Sequence, residues 1–293
     1  MATMVLDIGG TAIKSGLYID DVLTDIRETP TESSLGGEHI VARAKEIIAS
    51  YQQRNSFQRI GICTTGQVHP ARGQIIYANE NIPGYTGTRL AEIMQQEFCV
   101  PTAVENDVNA AAIGESVFGA GKGLKDFVCL TYGTGVGGAI FSDGKLYPGS
   151  SYSAGEFGAI VTHPEDRLIE RDLFAGCYEK YASTTALVKS ALALDPTLDN
   201  GRRIFQCLHE PDVKMLVDHW IQEIIYGLTT IIHMLNPESV ILGGGIMEQP
   251  YIIEQLRARL YPNIIPSFRS VQIRKAALGN RAGLLGAALL KNF

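Results

Sequence analysis

Glu105-Asn106-Asp107-Val108-Asn109-Ala110-Ala111, residues 105–111, sets two acids and two amides between an apolar run, Pro101 to Val104, and an alanine-rich stretch that continues through Ala112 and Ile113. The first run reads as a short buried strand and the second as a helix, with Asn106 or Asp107 at the N-cap. Residue types alone specify a cap there, because Asn and Asp lead the N-cap ranking. A helix N-terminus also favours an ionised carboxylate, which makes Asp107 a candidate general base. That second reading needs loops elsewhere in the chain that can hold an anionic partner such as a phosphate.

The 293 residues, 45% of them apolar, exceed what one hydrophobic core usually organises, so two domains are expected. A net charge of -6 offers no basic field for nucleic acid or an anionic membrane. The opening MATMVLDIGG has no basic region and its apolar run stops at Asp7, so no secretory leader is expected. No apolar stretch approaches the roughly 18 residues needed to span a bilayer. Cys63, Cys99, Cys129, Cys177 and Cys207 are odd in number and far apart, which points to reduced thiols in a cytoplasm.

Along the chain there is no low-complexity segment and no short repeat, but a coarser duplication is visible. MVLDIGGT in the first half and DFVCLTYGTGVGGAIF (126–141) in the second are each an apolar strand, a glycine turn and a second apolar run (GLYI at 16–19, GAIF at 138–141), as hairpins require. RIGICTTG (59–66) is a third strand ending in glycine. Helical segments are expected near 38–53 and 176–194. From Leu216 to Leu235 apolar residues at 217, 220, 221, 224, 225, 228, 231, 232 and 235 keep helical spacing, and Asn236-Pro237 ends that helix. Ser239 to Leu242 is a strand, Gly243-Gly244-Gly245 leads into a helix, and Ala282 to Leu290 is a small apolar helix suited to packing. The glycine-rich GAGKGLK (119–125) marks the boundary, giving domains 1–118 and 119–280, with the C-terminal helix 281–293 rejoining the first.

Three glycine turns carry the chemistry. In Asp7-Ile8-Gly9-Gly10-Thr11, with Lys14 behind, glycines let backbone N–H groups approach phosphate oxygens, while threonine and lysine add donors. Asp7 at the strand end can hold hydrated Mg2+. Gly133-Thr134-Gly135-Val136-Gly137-Gly138 formally fits G-x-G-x-x-G, yet the following Ala139-Ile140-Phe141 reads as strand, whereas a dinucleotide fingerprint must open a helix. No Walker A motif exists, which argues against a P-loop fold. Gly243-Gly244-Gly245-Ile246 lies where backbone could border a nucleotide, although each turn also has a plain structural reading.

In combination these features resemble the superfamily of sugar kinases, heat-shock cognate ATPases and actin, and within it the ROK family of bacterial sugar kinases. The resemblance runs nearly end to end: DIGGTAIK (7–14), TTGQV (64–68), NIPGYTG (81–87), PTAVENDVNAAAIGE (101–115), TYGTGVGGAIFSDGKL (131–146), AGEFG (154–158), GCYEKYAS (176–183), NPESVILGGGI (236–246) and NRAGLLGAALL (280–290). It implies an α/β, two-domain ribonuclease-H-like fold of mixed sheets flanked by helices. The first domain would carry the first phosphate loop, the sugar site and the catalytic acid, and the second the other phosphate loop, the adenosine site and the dimer contact. Gly9, Gly10, Thr11, Lys14, Gly133, Thr134 and Gly135 would line the phosphates of ATP, with Gly244 and Gly245 at the adenosine. Gly66, Asn81, Asn106, Asp107, Glu156 and Glu179 match the family's sugar-binding positions. Asp107 would take the proton of the sugar's primary hydroxyl, Asp7 would hold Mg2+ through water, and the domains would close over the sugar to exclude water. The resemblance also implies a cytoplasmic homodimer.

Two departures bear on substrate and metal. The family commonly holds a structural zinc through a histidine after G-E-x-G and a cysteine trio; here that position is Ala159 and only Cys177 remains. One thiol cannot make a tetrahedral site, so no zinc is expected, and His163 reads as an ordinary loop residue. The missing histidine belongs to the sugar's C1 and C2 side, so alanine makes room there for a β-linked group or a 2-acetamido group. The expected substrate is therefore a β-glucoside or N-acetylmannosamine, with glucose, a glucokinase activity, as the alternative. A non-catalytic sugar sensor or ROK repressor is the rival of another class. A repressor would carry a helix-turn-helix before the first strand, and this sequence reaches that strand by Val5; intact Asp7, Thr11, Asp107 and Thr134 speak against a dead sensor.

Overall fold

A computed structural model describes residues 2–290, so the end of the expected C-terminal helix at 291–293 lies outside the described residues. The chain divides into two compact units, Met1–Lys122 with Pro148–Ala154 and Asn280–Phe293, and Gly123–Tyr147 with Gly155–Gly279.

In the first unit β1 (Thr3–Ile8), β2 (Ala12–Ile19) and β3 (Val22–Pro30) form an antiparallel meander. β4 (Arg59–Thr64) pairs parallel to β1. β5 (Gln67–His69) and β6 (Gln74–Tyr77) make a separate hairpin, and β7 (Thr102–Asn106) pairs parallel to β4. The five-stranded order is β3-β2-β1-β4-β7. β7 runs two residues further than the apolar PTAV run, so the strand carries Glu105 and Asn106 to its carboxyl end.

The central strand β1 is buried on both faces, and its alternation assigns them. Met4, Leu6 and Ile8 pack with Ile40, Ile48, Leu90 and Met94 of α1 (Gly37–Gln52) and α2 (Leu90–Phe98). Val5 packs on the other face with Cys63, with Ala110 of α3 (Asp107–Phe118) and with Leu284 and Ala287 of the C-terminal helix Ala282–Ala288. Asp7 follows Val5 by two residues and therefore shares that second face. Glycines let this layer close. A Cβ on Gly286 would lie 1.7 Å from the carbonyl oxygen of Ala110, and one on Gly61 would lie 2.1 Å from that of Ala287. Pro148–Ala154 joins this unit through Tyr152, whose ring lies tilted against that of His69 with centroids 4.2 Å apart.

The second unit repeats the plan: β8 (Phe127–Tyr132), β9 (Val136–Ser142) and β10 (Lys145–Leu146) are antiparallel, while β11 (Ser239–Gly243) and β12 (Gln272–Lys275) run parallel beside β8, in the order β10-β9-β8-β11-β12. The duplication legible in the sequence is thus a duplication of sheet topology. The helical stretch 176–194 is broken into α4 (Glu179–Ala182) and α5 (Thr184–Leu194), because Ser183 turns extended and its hydroxyl accepts the Ala186 N–H at 3.1 Å as a cap. After α6 (Gly201–Gln206), α7 (Pro211–Leu235) buries the predicted stripe against the sheet, except Leu235, which is exposed at its end. Asn236 ends α7 in a left-handed conformation with φ 46°. The Gly243 to Gly245 turn enters a short 3-10 turn, Gly245–Glu248, before α8 (Pro250–Leu260).

Replacing a helical glycine by alanine normally gains up to about 1 kcal/mol. At Gly286 the sign should invert, because the new methyl would overlap a backbone oxygen that cannot swing away, and overpacking costs about 1–3 kcal/mol. Gly286→Ala should lower the thermal midpoint of the protein, measured by circular dichroism; an unchanged or raised midpoint would contradict this packing.

Candidate active site

The strand register levels the acids of the first unit. Asp7 stands opposite Cys63 and Cys63 opposite Glu105, while Ile8, Thr64 and Asn106 form the next row, so the carboxyl ends of β1, β4 and β7 meet on one rim. In open α/β sheets ligands bind outside such ends. Asn106 is the N-cap of α3 and its Oδ1 accepts the N–H groups of Val108 at 2.9 Å and Asn109 at 3.0 Å. Its Nδ2 donates to the carbonyl of Gly66 at 3.0 Å and to Asp107 Oδ1 at 2.9 Å. One side chain therefore ties the Gly66 loop, the helix head and the acid together. Glu105, buried behind it, accepts the Asn106 N–H at 2.8 Å and Asn109 Nδ2 at 3.1 Å, which fixes the cap from below.

Asp107 is half-buried at the first position of α3. Withdrawal from water pushes its carboxyl up to about 7 and the nearby Asp7 charge adds to this, while the N–H groups of Val108 and Asp107 and the Asn106 amide oppose it. Asp7 is itself raised by burial, against the pull of Lys14, whose Nζ lies 3.7 Å from Oδ2, and of the Cys63 thiol, which donates to it. Burial and the Asp7 and Asp107 charges hold that thiol well above its ordinary range. A Cβ on Gly283 would lie 2.9 Å from Asp7 Oδ2 and 3.1 Å from Cys63 Sγ, so the C-terminal helix closes the floor of the acid pair. The turn beside them, Gly9 to Thr11, is closed by the Gly9 N–H to Ala12 O bond at 3.0 Å. It is pinned by buried Thr31, whose hydroxyl donates to Gly9 O at 2.7 Å and whose N–H donates to Thr11 O at 3.0 Å. Asn81 lies in the exposed turn after β6, its N–H donating to Asn79 Oδ1 at 3.2 Å.

In the second unit Gly133, Thr134 and Gly135 form the hairpin turn between β8 and β9, with the Gly133 N–H donating to Gly135 O at 3.0 Å. A strand follows it, so the formal dinucleotide pattern opens no helix. The turn is held from behind by the N-terminus of α5: the Thr184 hydroxyl donates to Tyr132 O at 3.1 Å and the Thr185 N–H to Gly133 O at 3.4 Å. Gly243 registers with Thr131, and Gly244, at φ 101°, closes onto Tyr132, where a Cβ would lie 2.2 Å from its carbonyl oxygen. The second and third glycine turns are thus neighbours at the carboxyl ends of β8 and β11. Glu156 is exposed at the head of a 3-10 turn, Phe157–Ala159. Glu179, the first residue of α4, is half-buried rather than a surface charge and accepts the Val136 N–H.

Gly10, Gly133 and Gly245, one from each turn, differ from their neighbours. None has a positive φ, and nothing lies within 4 Å of where a Cβ would sit. Neither backbone strain nor the chain's own packing calls for glycine there.

Among the described residues no group of three or more His, Cys, Asp and Glu side chains is placed to hold a metal ion. Around Cys177 the loop is cross-linked by Arg167, whose Nη1 donates to Leu173 O and Ala175 O at 2.7 Å each and reaches Cys177 Sγ at 3.3 Å. His163 stacks 3.7 Å from the Tyr181 ring, with Nε2 3.5 Å from buried Glu223, a structural post. Also among the described residues, no helix is long and apolar enough to cross a membrane.

The sequence did not single out Thr31, Glu105, Cys63, Thr184 or Thr185. Glu105 stood within the acid and amide cluster, just past the expected end of the strand; Thr31 carried no local signal, since it meets the first turn across 20 residues of chain.

The chain is 32% identical over 296 residues to a beta-glucoside kinase of Listeria innocua, covering 98% of this chain and 96% of that one. Among solved structures it is similar to a protein of Listeria monocytogenes proposed as an N-acetylmannosamine kinase (TM-score 0.86, 30% identity, 98% and 97% of the chains). It is equally similar to a ROK family glucokinase of Streptomyces griseus in complex with glucose and AMPPNP (TM-score 0.85, 30% identity, 98% of each). Residues 3–292 match the ROK family, and the chain, with its paired mixed sheets flanked by helices, belongs to it.

Proposed function

We propose that the protein is an ATP-dependent sugar kinase that phosphorylates the 6-hydroxyl of a hexose derivative, a β-glucoside or N-acetylmannosamine, with glucose as the alternative. The observation that carries the nucleotide half is the set of open glycines, Gly10, Gly133 and Gly245, each presenting bare backbone at a strand end. Asp107 carries the acceptor half. It is a carboxylate with a proton affinity near neutrality, held by Asn106 at a helix head, and therefore able to accept a hydroxyl proton at physiological pH.

Phosphoryl transfer asks for positioning and charge neutralisation more than covalent help. Magnesium and ATP, when bound, supply the transferable phosphoryl group with part of its charge already neutralised. Asp7 and Asp107 together concentrate negative charge, with Lys14 3.7 Å from Asp7, and this fits a hydrated cation held by Asp7. Gly9, Thr11, Lys14, Thr134, Gly135 and Gly244 complete the nucleotide contacts in this reading. Gly66, Asn81, Asn106, Glu156 and Glu179 hold sugar hydroxyls, and a homodimer is the expected assembly. Ala159, exposed three residues after Glu156, leaves room for a substituent at C1 or C2 of the sugar.

Sugar-dependent ADP release, screened over hexoses, hexosamines and β-glucosides, tests the reading; no release with any of them would end it. Asp107→Asn should cut kcat about 10³-fold while the sugar still binds, and near-normal turnover would refute the base. In the wild type kcat/KM should rise with pH through about 7, because only ionised Asp107 accepts the proton, and Asp7→Asn should move that limb to lower pH by removing the neighbouring charge.

The same shift has a stability consequence. Folded Asp107 holds its proton from the unfolded value of 3.8 up to about 7, so ionisation costs stability progressively across that window and the cost persists above it. Asp107→Asn should therefore raise the melting temperature at pH 8 but not at pH 4; an equal change at both would contradict the shift. Metal analysis of dialysed protein should find zinc far below stoichiometric, and one zinc per chain would overturn the assignment of Arg167 and Cys177 as a metal-free loop.

A further inference from the structure

Glu179 does more than stand near the sugar position. Its Oε2 lies 2.6 Å from where a Cβ on Gly135 would sit and 2.9 Å from one on Gly158, so a single carboxylate fills the space between the second phosphate turn and the Ala154-Gly155-Glu156-Phe157-Gly158 loop. The same carboxylate accepts the N–H of Val136, the residue that leaves the turn. The anchors around the turn divide its two arms. Thr184 and Thr185 hold the incoming arm through Tyr132 O and Gly133 O, and Glu179 holds the outgoing arm. Gly133 and Thr134 between them are exposed. A turn of this composition has almost no side chain of its own to pack, so its conformation depends on such outside anchors.

We propose that Glu179 is a positioning residue for the second phosphate turn, and that a sugar hydroxyl donating to the same carboxylate steadies the turn for the nucleotide, so that sugar and nucleotide bind cooperatively. A carboxylate has about four acceptor sites, and the Val136 N–H takes one. A hydroxyl donating to another restrains the carboxylate, and through it Gly135 and Val136. Because binding linkage is reciprocal, nucleotide tightens sugar by the same factor. The sugar half of this proposal rests on the sugar-kinase reading; the hold on the turn does not.

The experiment measures the affinity of magnesium AMPPNP by calorimetry, first without sugar and then with saturating glucose, N-acetylmannosamine or cellobiose. Without sugar, Glu179→Ala should weaken AMPPNP about tenfold, the value of one charge-assisted hydrogen bond, and Glu179→Gln, whose amide oxygen can still accept from Val136, should recover most of the loss. Glu179→Asp, too short to reach Val136, should behave as the alanine variant although its charge is kept. Glu165→Gln, which removes an exposed charge elsewhere in the same loop, should stay within twofold of wild type. Affinity without sugar that is unchanged or tighter in both Glu179→Ala and Glu179→Asp overturns the proposal. Wild type whose AMPPNP affinity does not respond to a sugar it phosphorylates overturns the cooperative half. Weakened AMPPNP in the variants with no sugar phosphorylated by wild type leaves the hold on the turn standing and removes the sugar-kinase reading instead. Melting curves of each variant separate lost affinity from lost fold, and the aspartate variant, one methylene shorter, replaces the alanine if that chain fails to fold.

Discussion

The proximity of two carboxylates on one face of the first sheet constrains everything around them. The charge of Asp7 raises the cost of ionising Asp107, and each is also withdrawn from water. Like charges this close tend to stay partly protonated unless something opposes them. The chain opposes them in graded fashion: Lys14 beside Asp7, a thiol donor from Cys63, the helix head and the Asn106 amide on Asp107. That is enough to bring Asp107 near neutrality and not enough to make it a permanently ionised, weakly basic carboxylate. The register of three parallel strands levels Asp7 with the strand end that precedes Asp107, so a slip of one residue in β1 would send Asp7 to the opposite face of the sheet.

Glycine serves two opposite purposes in this fold. At Gly61, Gly283 and Gly286 it lets the C-terminal helix approach the sheet and α3 closely enough that no side chain fits, which seals the floor beneath the acids. At Gly10, Gly133 and Gly245 it leaves space open. Gly135 and Gly244 stand between the two, each packed on its own chain, against Glu179 and Tyr132. A sequence shows all of these as the same letter. Only the surroundings of the missing Cβ separate a glycine demanded by packing from one reserved for a ligand.

Much of this was legible because the period of the pattern is strong. The strand-turn-strand openings, the rejection of the dinucleotide motif by the apolar run after Gly138, and the long stripe of α7 all follow from residue alternation and appear as β1 and β2, β8 and β9, and α7. The cap at Asn106 followed from residue type, whereas the extent of β7 did not, because Glu105 and Asn106 are polar and the strand holds them through register with β4 rather than through apolar burial. β3, α2 and β12 left weak signals: β3 is an edge strand with mostly exposed residues, and its pairing is supplied by β2. Contacts that join distant parts of the chain, such as Thr31 to the first turn and Thr184 to the second, have no local pattern to read.

The loop between Glu156 and Glu179 is closed on itself by tertiary contacts. Val161 bridges Cys177, the N–H groups of Thr162 and His163 both donate to Gly176 O, and Tyr178 N–H donates to Ile160 O, so the two ends of the loop are zipped together beside both glutamates. Inside that neck Nη1 of Arg167 donates to two carbonyls and lies 3.3 Å from the Cys177 thiol. The same neck places Glu179 against Gly135, in the turn between β8 and β9.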